Sequence, residues 1–180
     1  MKDPTAGPAL LTPRLQLVAA TQATISAELA GQDRLAALLE AAIPSDWPPE
    51  HHDAETLDFW LEQLALPEAA GWWLHYMLLR RPTAPTLVGT VSYKGPPTDG
   101  VVEIGYSVVP SWQGRGLATE GSRALIEAAW ERGAEVVVAH TFEHLAPSIA
   151  VLRKLGFQPA ESSEPEALEF RLCLGQGSNR

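Results

Sequence analysis

The chain has 180 residues, of which 46% are hydrophobic and 19% charged. That length suits one domain, residues 1–180, with a core large enough to need neither disulfides nor a structural metal. The charge balance, 13 Lys+Arg against 22 Asp+Glu, gives −9 and argues against a broad nucleic-acid-binding face, which needs a basic stripe. A single cysteine, Cys173, excludes an internal disulfide and a Cys2His2 zinc site, and fits a reducing cytoplasm. No apolar run reaches the roughly 18 residues of a membrane span. Met1-Lys2-Asp3-Pro4 lacks the apolar run of a signal peptide.

Residues 1–13, with Pro4, Gly7, Pro8 and Pro13, read as an extended lead-in. Leu15 and Leu17 alternate with Arg14 and Gln16, which predicts a first strand. Thr21 can cap a helix running to about Ile43, interrupted near Gly31. Pro44-Ser45-Asp46-Trp47-Pro48-Pro49 is a loop by composition. A second helix is expected over 54–66, with Leu57, Trp60, Leu61 and Leu64 as its buried stripe, stopped by Pro67 and Gly71. Trp72–Arg80, Thr86–Tyr93 and Val101–Val109 read as three strands of an antiparallel meander.

The pattern then changes. Gln113–Gly116 is a Gly-rich turn, followed by a helical stripe through Leu117, Gly121, Ala124, Leu125, Ala128 and Ala129 that ends at Gly133. Val136-Val137-Val138 is typical of a strand buried on both faces. Pro147 suits the first turn of another helix, ending near Leu155-Gly156. Residues 157–159 and 167–174 then close the chain as a hairpin. The order β-α-α-β-β-β-α-β-α-β-β is α+β around one mixed sheet.

The chemistry concentrates in the stretch from Val108 to Gly121. A strand runs into a Gly-rich turn that opens a helix, and unpaired N–H groups at such a start favour an anion, usually phosphate. A dinucleotide fingerprint beginning at Gly114 fails at Thr119, and a P-loop beginning at Gly116 fails at Ser122.

Gln113, Gly116 and Ala118 satisfy Gln-x-x-Gly-x-Ala. With Thr12-Pro13-Arg14-Leu15-Gln16-Leu17 before it, Glu103-Ile104-Gly105-Tyr106 leading into it and Ser148-Ile149-Ala150-Val151-Leu152-Arg153-Lys154-Leu155-Gly156-Phe157 after it, the chain resembles the GNAT N-acetyltransferases. More narrowly it resembles the branch that contains the ribosomal-protein N-terminal acetyltransferases. The resemblance implies a mostly antiparallel central sheet of about seven strands with about four helices. It implies splaying between the fourth and fifth expected strands, Val101–Val109 and the Val136 strand. It also implies acetyl-CoA as co-substrate, with residues 101–160 as the CoA-binding core and 32–80 as the variable acceptor side. Pyrophosphate would then sit on Gly114, Arg115, Gly116, Leu117, Ala118 and Thr119 beside Gln113, and the pantetheine arm along Tyr106, Val108 and Val109.

Acetyl transfer to an amine requires loss of an ammonium proton, a donor for the thioester oxygen, and a proton for the departing thiolate. The family mechanism is direct attack in a ternary complex, so Cys173 is expected only as a small core residue. Glu103 matches the position of a catalytic Glu in part of the superfamily and is the expected base. Ser148 matches a Ser that touches the thiol in the closer branch, although a helix cap is an equal use for it. Leu152 stands where many relatives place a Tyr acid, and Leu145 where the branch often has Asn. These two departures leave open the alternative of a non-catalytic acyl-CoA-binding or sensor module. His140 and His144 are alternative bases; His75 reads as a structural His, His51 and His52 as surface residues, and no metal site is expected from their spacing.

From Leu35 to Leu79 there is no Lys or Arg, while Glu40, Asp46, Glu50, Asp53, Glu55, Asp58, Glu62 and Glu68 crowd the same stretch. An acidic flank with Trp47 or Trp60 would attract a cationic amine, a small molecule or a protein N-terminus. Asp46, Trp47 and His140 are therefore the expected acceptor-side residues. Neither a nucleic-acid nor a membrane partner is expected, and the chain could be a monomer or a homodimer.

Overall fold

A computed structural model describes residues 8–66, 70–162 and 164–175. The start of the lead-in at 1–7, the helix stop at Pro67 and the acidic Glu68 lie outside the described residues. Among the described residues one sheet carries strands β1 (Leu10–Leu11), β2 (Leu15–Ala19), β3 (Leu74–Leu79), β4 (Thr86–Tyr93), β5 (Val101–Val108), β6 (Val136–Thr141), β7 (Gln158–Ala160) and β8 (Leu168–Cys173). Their spatial order is β1-β2-β3-β4-β5-β6-β8-β7. All neighbours are antiparallel except β5 and β6. The strand beyond the seven expected is β1, which pairs with Leu17 and Gln16.

The helices are α1 (Gln22–Ala30), α2 (Gln32–Leu39), α3 (Ala54–Gln63), α4 (Leu117–Glu131) and α5 (Ala146–Leu155). Thr21 caps α1 in a capping box with Thr24. Gly31, at φ +131°, divides the expected first helix in two, which accounts for the fifth helix. α2 ends at Leu39, short of the Ile43 expected for the first helix, because Ala42 turns to bond Pro85 and Leu87 at the start of β4.

The sheet separates two apolar clusters. On one face α4 and α5 bring Leu125, Ile126, Ala129, Leu152 and Leu155 against Val102, Ile104 and Val137. On the other, Ile25, Leu35 and Leu57 from α1, α2 and α3 pack on Leu74, Tyr76 and Leu78. Only Leu57 of the expected α3 stripe is fully buried; Trp60, Leu61 and Leu64 are half-buried at its edge. Gly121 sets how closely α4 approaches, since a Cβ there would lie 2.6 Å from Met77 Sδ.

His75 on β3 is buried and donates from Nδ1 to the Trp73 carbonyl at 3.2 Å. Burial drives its imidazole down to about 4, against the pull of that hydrogen bond. The unfolded chain, with an ordinary His near 6.5, therefore takes up a proton first, and stability falls as pH drops from about 6.5 toward 4. This group alone should remove about 2 kcal/mol between pH 7 and pH 5. Urea unfolding at the two pH values should show that loss in the native protein and a smaller one in His75→Gln.

Candidate active site

The parallel pair β5–β6 is short. Val101, Val102 and Glu103 face Val136, Val137 and Val138, and the pairing ends there. Beyond it β5 stays with β4, down to Gly89 opposite Val108, while β6 stays with β8, out to Leu168 opposite Thr141. The Glu103 carbonyl and the Val109 N–H both bond toward β4. Strand alternation therefore turns the backbone groups of Tyr106 and Val108 toward the widening gap. Gln113 Nε2 takes up the Val108 carbonyl at 2.9 Å, which ties the loop to the end of β5.

The loop itself turns through a 3-10 segment, Pro110–Trp112, then Gly114 and Gly116 at φ +71° and +73°, into α4. Gly116 is the N-cap and offers no side-chain cap. Among the described residues, the N–H groups of Gly114 through Thr119 donate no hydrogen bond within the chain. Six successive donors at a helix N-terminus, beside the Arg115 guanidinium, suit an anion of pyrophosphate size. Trp112 has the guanidinium groups of Arg115 and Arg81 over its ring at 4.5 and 5.0 Å.

A brace behind the loop holds it. Arg14 donates to the Arg115 carbonyl at 2.9 Å and to Glu120 Oε2 at 2.6 Å, and Thr12 Oγ1 donates to Glu120 Oε1 at 2.6 Å. Partial burial raises the Glu120 carboxyl, but these bonds outweigh it and hold the group below its ordinary value. The Thr12–Leu17 block thus has a physical use that spacing alone did not suggest.

Glu103, Gly105 and Ser107 face the side of α1–α3, as period-2 alternation requires. Glu103 Oε1 receives both Lys94 Nζ, through an ion pair, and His140 Nδ1 at 3.0 Å. Glu103 Oε2 has no partner among the described residues. His140 Nε2 meets Glu169 Oε2 at 3.3 Å, and Glu169 Oε1 accepts from Arg171 at 2.6 Å. Desolvation lowers the His140 imidazole, but the bonds and charges of Glu103, Glu164 and Glu169 outweigh it and hold the group above its ordinary value.

On the opposite face Tyr106 crosses to α5. Its hydroxyl lies 3.0 Å from Ser148 Oγ and donates to the Ser148 carbonyl at 3.1 Å. Burial raises the phenol, and the Ser148 contact works against that. Leu152 is fully buried in the core beneath. The contact of the Tyr106 side chain with Ser148 was not legible in sequence, where Tyr106 counted only for its backbone.

The acceptor-side residues separate. Asp46 accepts from Ser111 N–H at 2.8 Å and Ser111 Oγ at 3.0 Å, and these bonds keep its carboxyl low. Ser107 Oγ donates to the Glu50 carbonyl at 3.3 Å. Loop 44–53 thus lies across β5 and is tied to the 3-10 turn. Trp47 is only 4% exposed; its Nε1 donates to Glu28 Oε1, and its ring packs on His52 and Tyr76. It therefore has no open face for a cation. His52, expected at the surface, is buried between Trp47 and Trp60 and bonds Glu28 at 2.8 Å. His51 is exposed, and His144 stacks on exposed Phe142. Cys173 is half-buried and free. No group of three or more potential metal ligands occurs among the described residues, and no helix there is long and apolar enough to cross a membrane.

Comparison with known proteins identifies the fold. The family model for the acetyltransferase (GNAT) domain matches residues 15–158. An acetyltransferase from Agrobacterium tumefaciens shares the fold at TM-score 0.65 and 22% identity, over 92% of this chain and 94% of that one. The ribosomal-protein-S5-alanine acetyltransferase from Vibrio fischeri does so at 0.65 and 16%, over 95% and 99%. The RimL ribosomal L7/L12 alpha-N-protein acetyltransferase in complex with coenzyme A aligns at 0.63 and 19%, over 92% and 97%. No curated protein sequence gives a significant match.

Gly116→Ala tests the loop. A Cβ at this left-handed position costs about 1 kcal/mol in stability, although it would only touch Arg14 Nη2 at 3.6 Å. Calorimetric titration with CoA should show affinity reduced at least about fivefold, because a shift of the N-terminal N–H groups removes about 1 kcal/mol of binding. Unchanged affinity would place the anion elsewhere.

Proposed function

The chain belongs to the GNAT family of acetyltransferases, and on that premise we propose that it transfers an acetyl group to a primary amine by direct attack in a ternary complex. Acetyl-CoA, the family's co-substrate, supplies the acetyl group as a thioester and leaves as the thiol. The observation that carries the reading is the gap between β5 and β6, with a carboxylate on one face and a hydroxyl pair on the other.

The N–H groups of Gly114 to Thr119, with Arg115, hold the pyrophosphate, and the gap-facing backbone of Tyr106 and Val108 holds the pantetheine arm. Glu103 takes the ammonium proton at Oε2, its other oxygen being fixed by Lys94 and His140. Ser148, bonded to Tyr106, holds a proton for the departing thiolate.

The acceptor reaches Glu103 across segment 32–80. Glu40, Glu50, Asp53, Glu55, Asp58 and Glu62 are exposed there, and this favours a cationic amine. Asp46 and Trp47 serve that side by holding loop 44–53 in place rather than by touching the amine. Two of the fold neighbours act, by their names, on ribosomal proteins. Protein N-terminal peptides therefore belong beside polyamines and aminoglycosides in the acceptor panel.

Thiol release from acetyl-CoA over that panel tests the proposal. Acceptor-dependent release should fall at least about 100-fold in kcat/KM in Glu103→Gln and about tenfold in Ser148→Ala. Unchanged release in Glu103→Gln would remove Glu103 as the base. For a polycationic acceptor, KM should rise severalfold between 50 and 300 mM salt, since the Debye length over which exposed charges act shrinks from about 14 Å to about 6 Å. A flat KM would remove the electrostatic basis for the acceptor class.

A further inference from the structure

Behind Glu103 the sheet carries a row of ionisable side chains that simple base catalysis does not need. Glu103 on β5, His140 on β6 and Glu169 on β8 lie across three neighbouring strands, with His140 directly opposite Glu169 in register. Both ring nitrogens of His140 face a carboxylate oxygen, Glu103 Oε1 at 3.0 Å and Glu169 Oε2 at 3.3 Å. The His140 side chain is 12% exposed and that of Glu169 3%, so both face largely away from water. The two carboxylates are not equivalent. Glu103 keeps one oxygen toward the gap, whereas Glu169 is buried and tied to Arg171.

We propose that Glu103 and His140 form a single proton-accepting unit, in which the proton taken from the acceptor at Glu103 comes to rest on His140, and that Glu169 sets the pH at which the unit works. This rests on the reading of Glu103 as the group that meets the ammonium. A neutral imidazole has one N–H and one lone pair. Between two carboxylates it must leave that lone pair facing an anionic oxygen, whereas the imidazolium donates to both. The uptake step is balanced. The N–H bond of the ammonium breaks and its electron pair stays on nitrogen. The proton enters at Glu103 Oε2, a turn of the carboxyl presents it to Nδ1 of neutral His140, and its transfer leaves a neutral amine, a carboxylate and an imidazolium. Glu169 acts through His140 and is a positioning residue.

The pH dependence follows from the groups that face the ring. Glu103 and Glu169 bond it, Glu164 adds negative charge, and Lys94 and Arg171 oppose them at one remove. The competent form is neutral His140, so kcat/KM rises as pH passes upward through the ring's elevated value. Glu169→Gln removes a carboxylate and should shift that rise to lower pH. Arg171→Gln unmasks Glu169 and should shift it to higher pH. His140→Gln should lower kcat/KM at pH 7 at least about tenfold, with CoA affinity unchanged.

The test pairs two readouts. NMR titration of the His140 ring in the protein alone reports its protonation directly. The pH profile of kcat/KM, with one acceptor throughout, reports what catalysis uses, and the acceptor's own ionisation cancels between variants. The proposal expects ring titration and acid limb to move together, downward in Glu169→Gln and upward in Arg171→Gln. If Glu169→Gln does not fold, Arg171→Gln, whose side chain is half exposed, still decides the direction. A ring that moves while the limb stays overturns the relay, as does His140→Gln with kcat/KM within about twofold of native; if Glu103→Gln is still inactive, Glu103 remains the base. Activity retained in Glu103→Gln overturns the reading of Glu103 and the relay with it.

Discussion

The whole site depends on one broken ladder. β5 and β6 pair over three residues and then part, and everything that follows uses the space or the loose ends. The backbone groups of Tyr106 and the Val108 N–H lose a strand partner there, while the Val108 carbonyl is taken by Gln113, and such loose groups at a strand edge need water or a ligand to satisfy them. The strands can part because each has another neighbour, β4 for β5 and β8 for β6, bonded along the same length. Opening a gap in mid-sheet thus leaves both halves intact. It also places two chemistries on opposite faces of one strand, Glu103 toward α1–α3 and Tyr106 toward α5.

The rest of the fold holds the ends of that gap. At the loop end, Gln113, Arg14 and Glu120 fix backbone that has no ladder of its own. On the face of α1–α3 a buried carboxylate does comparable work. Glu28 accepts hydrogen bonds from Trp47, His52 and Tyr76, so a group that is costly to desolvate is satisfied by three donors. Two of those donors belong to loop 44–53, and the same loop reaches Ser111 through Asp46. Loop 44–53 and the 3-10 turn that leads into α4 are therefore joined by a short chain of polar contacts.

Much of this was legible in sequence. The strand–Gly-turn–helix run from Val108 to Gly121 declares itself by composition, and β4 from Thr86 to Tyr93 and the Thr21 cap fall where period and capping chemistry place them. What was not legible is contact between elements far apart in the chain. Trp47 looks like a surface aromatic in a Pro-rich loop, and only the fold reveals Glu28 waiting for its N–H. His140 and Glu169 are 29 residues apart and become neighbours because β8 inserts between β6 and β7. Tyr106 could be assigned to a face by alternation, but its partner on that face depends on where α5 begins.

The most direct test of the central claim is hydrogen exchange at single amides, with and without acetyl-CoA. If the gap receives the pantetheine arm, the Tyr106 and Val108 amides exchange quickly in the free protein and slow markedly with acetyl-CoA. Val109, already bonded to Val88, changes little. Slowing confined to the amides of Gly114–Thr119, with Tyr106 and Val108 unchanged, would contradict the account, because the cofactor would then be held by its phosphates alone and the broken ladder would have no part in binding it.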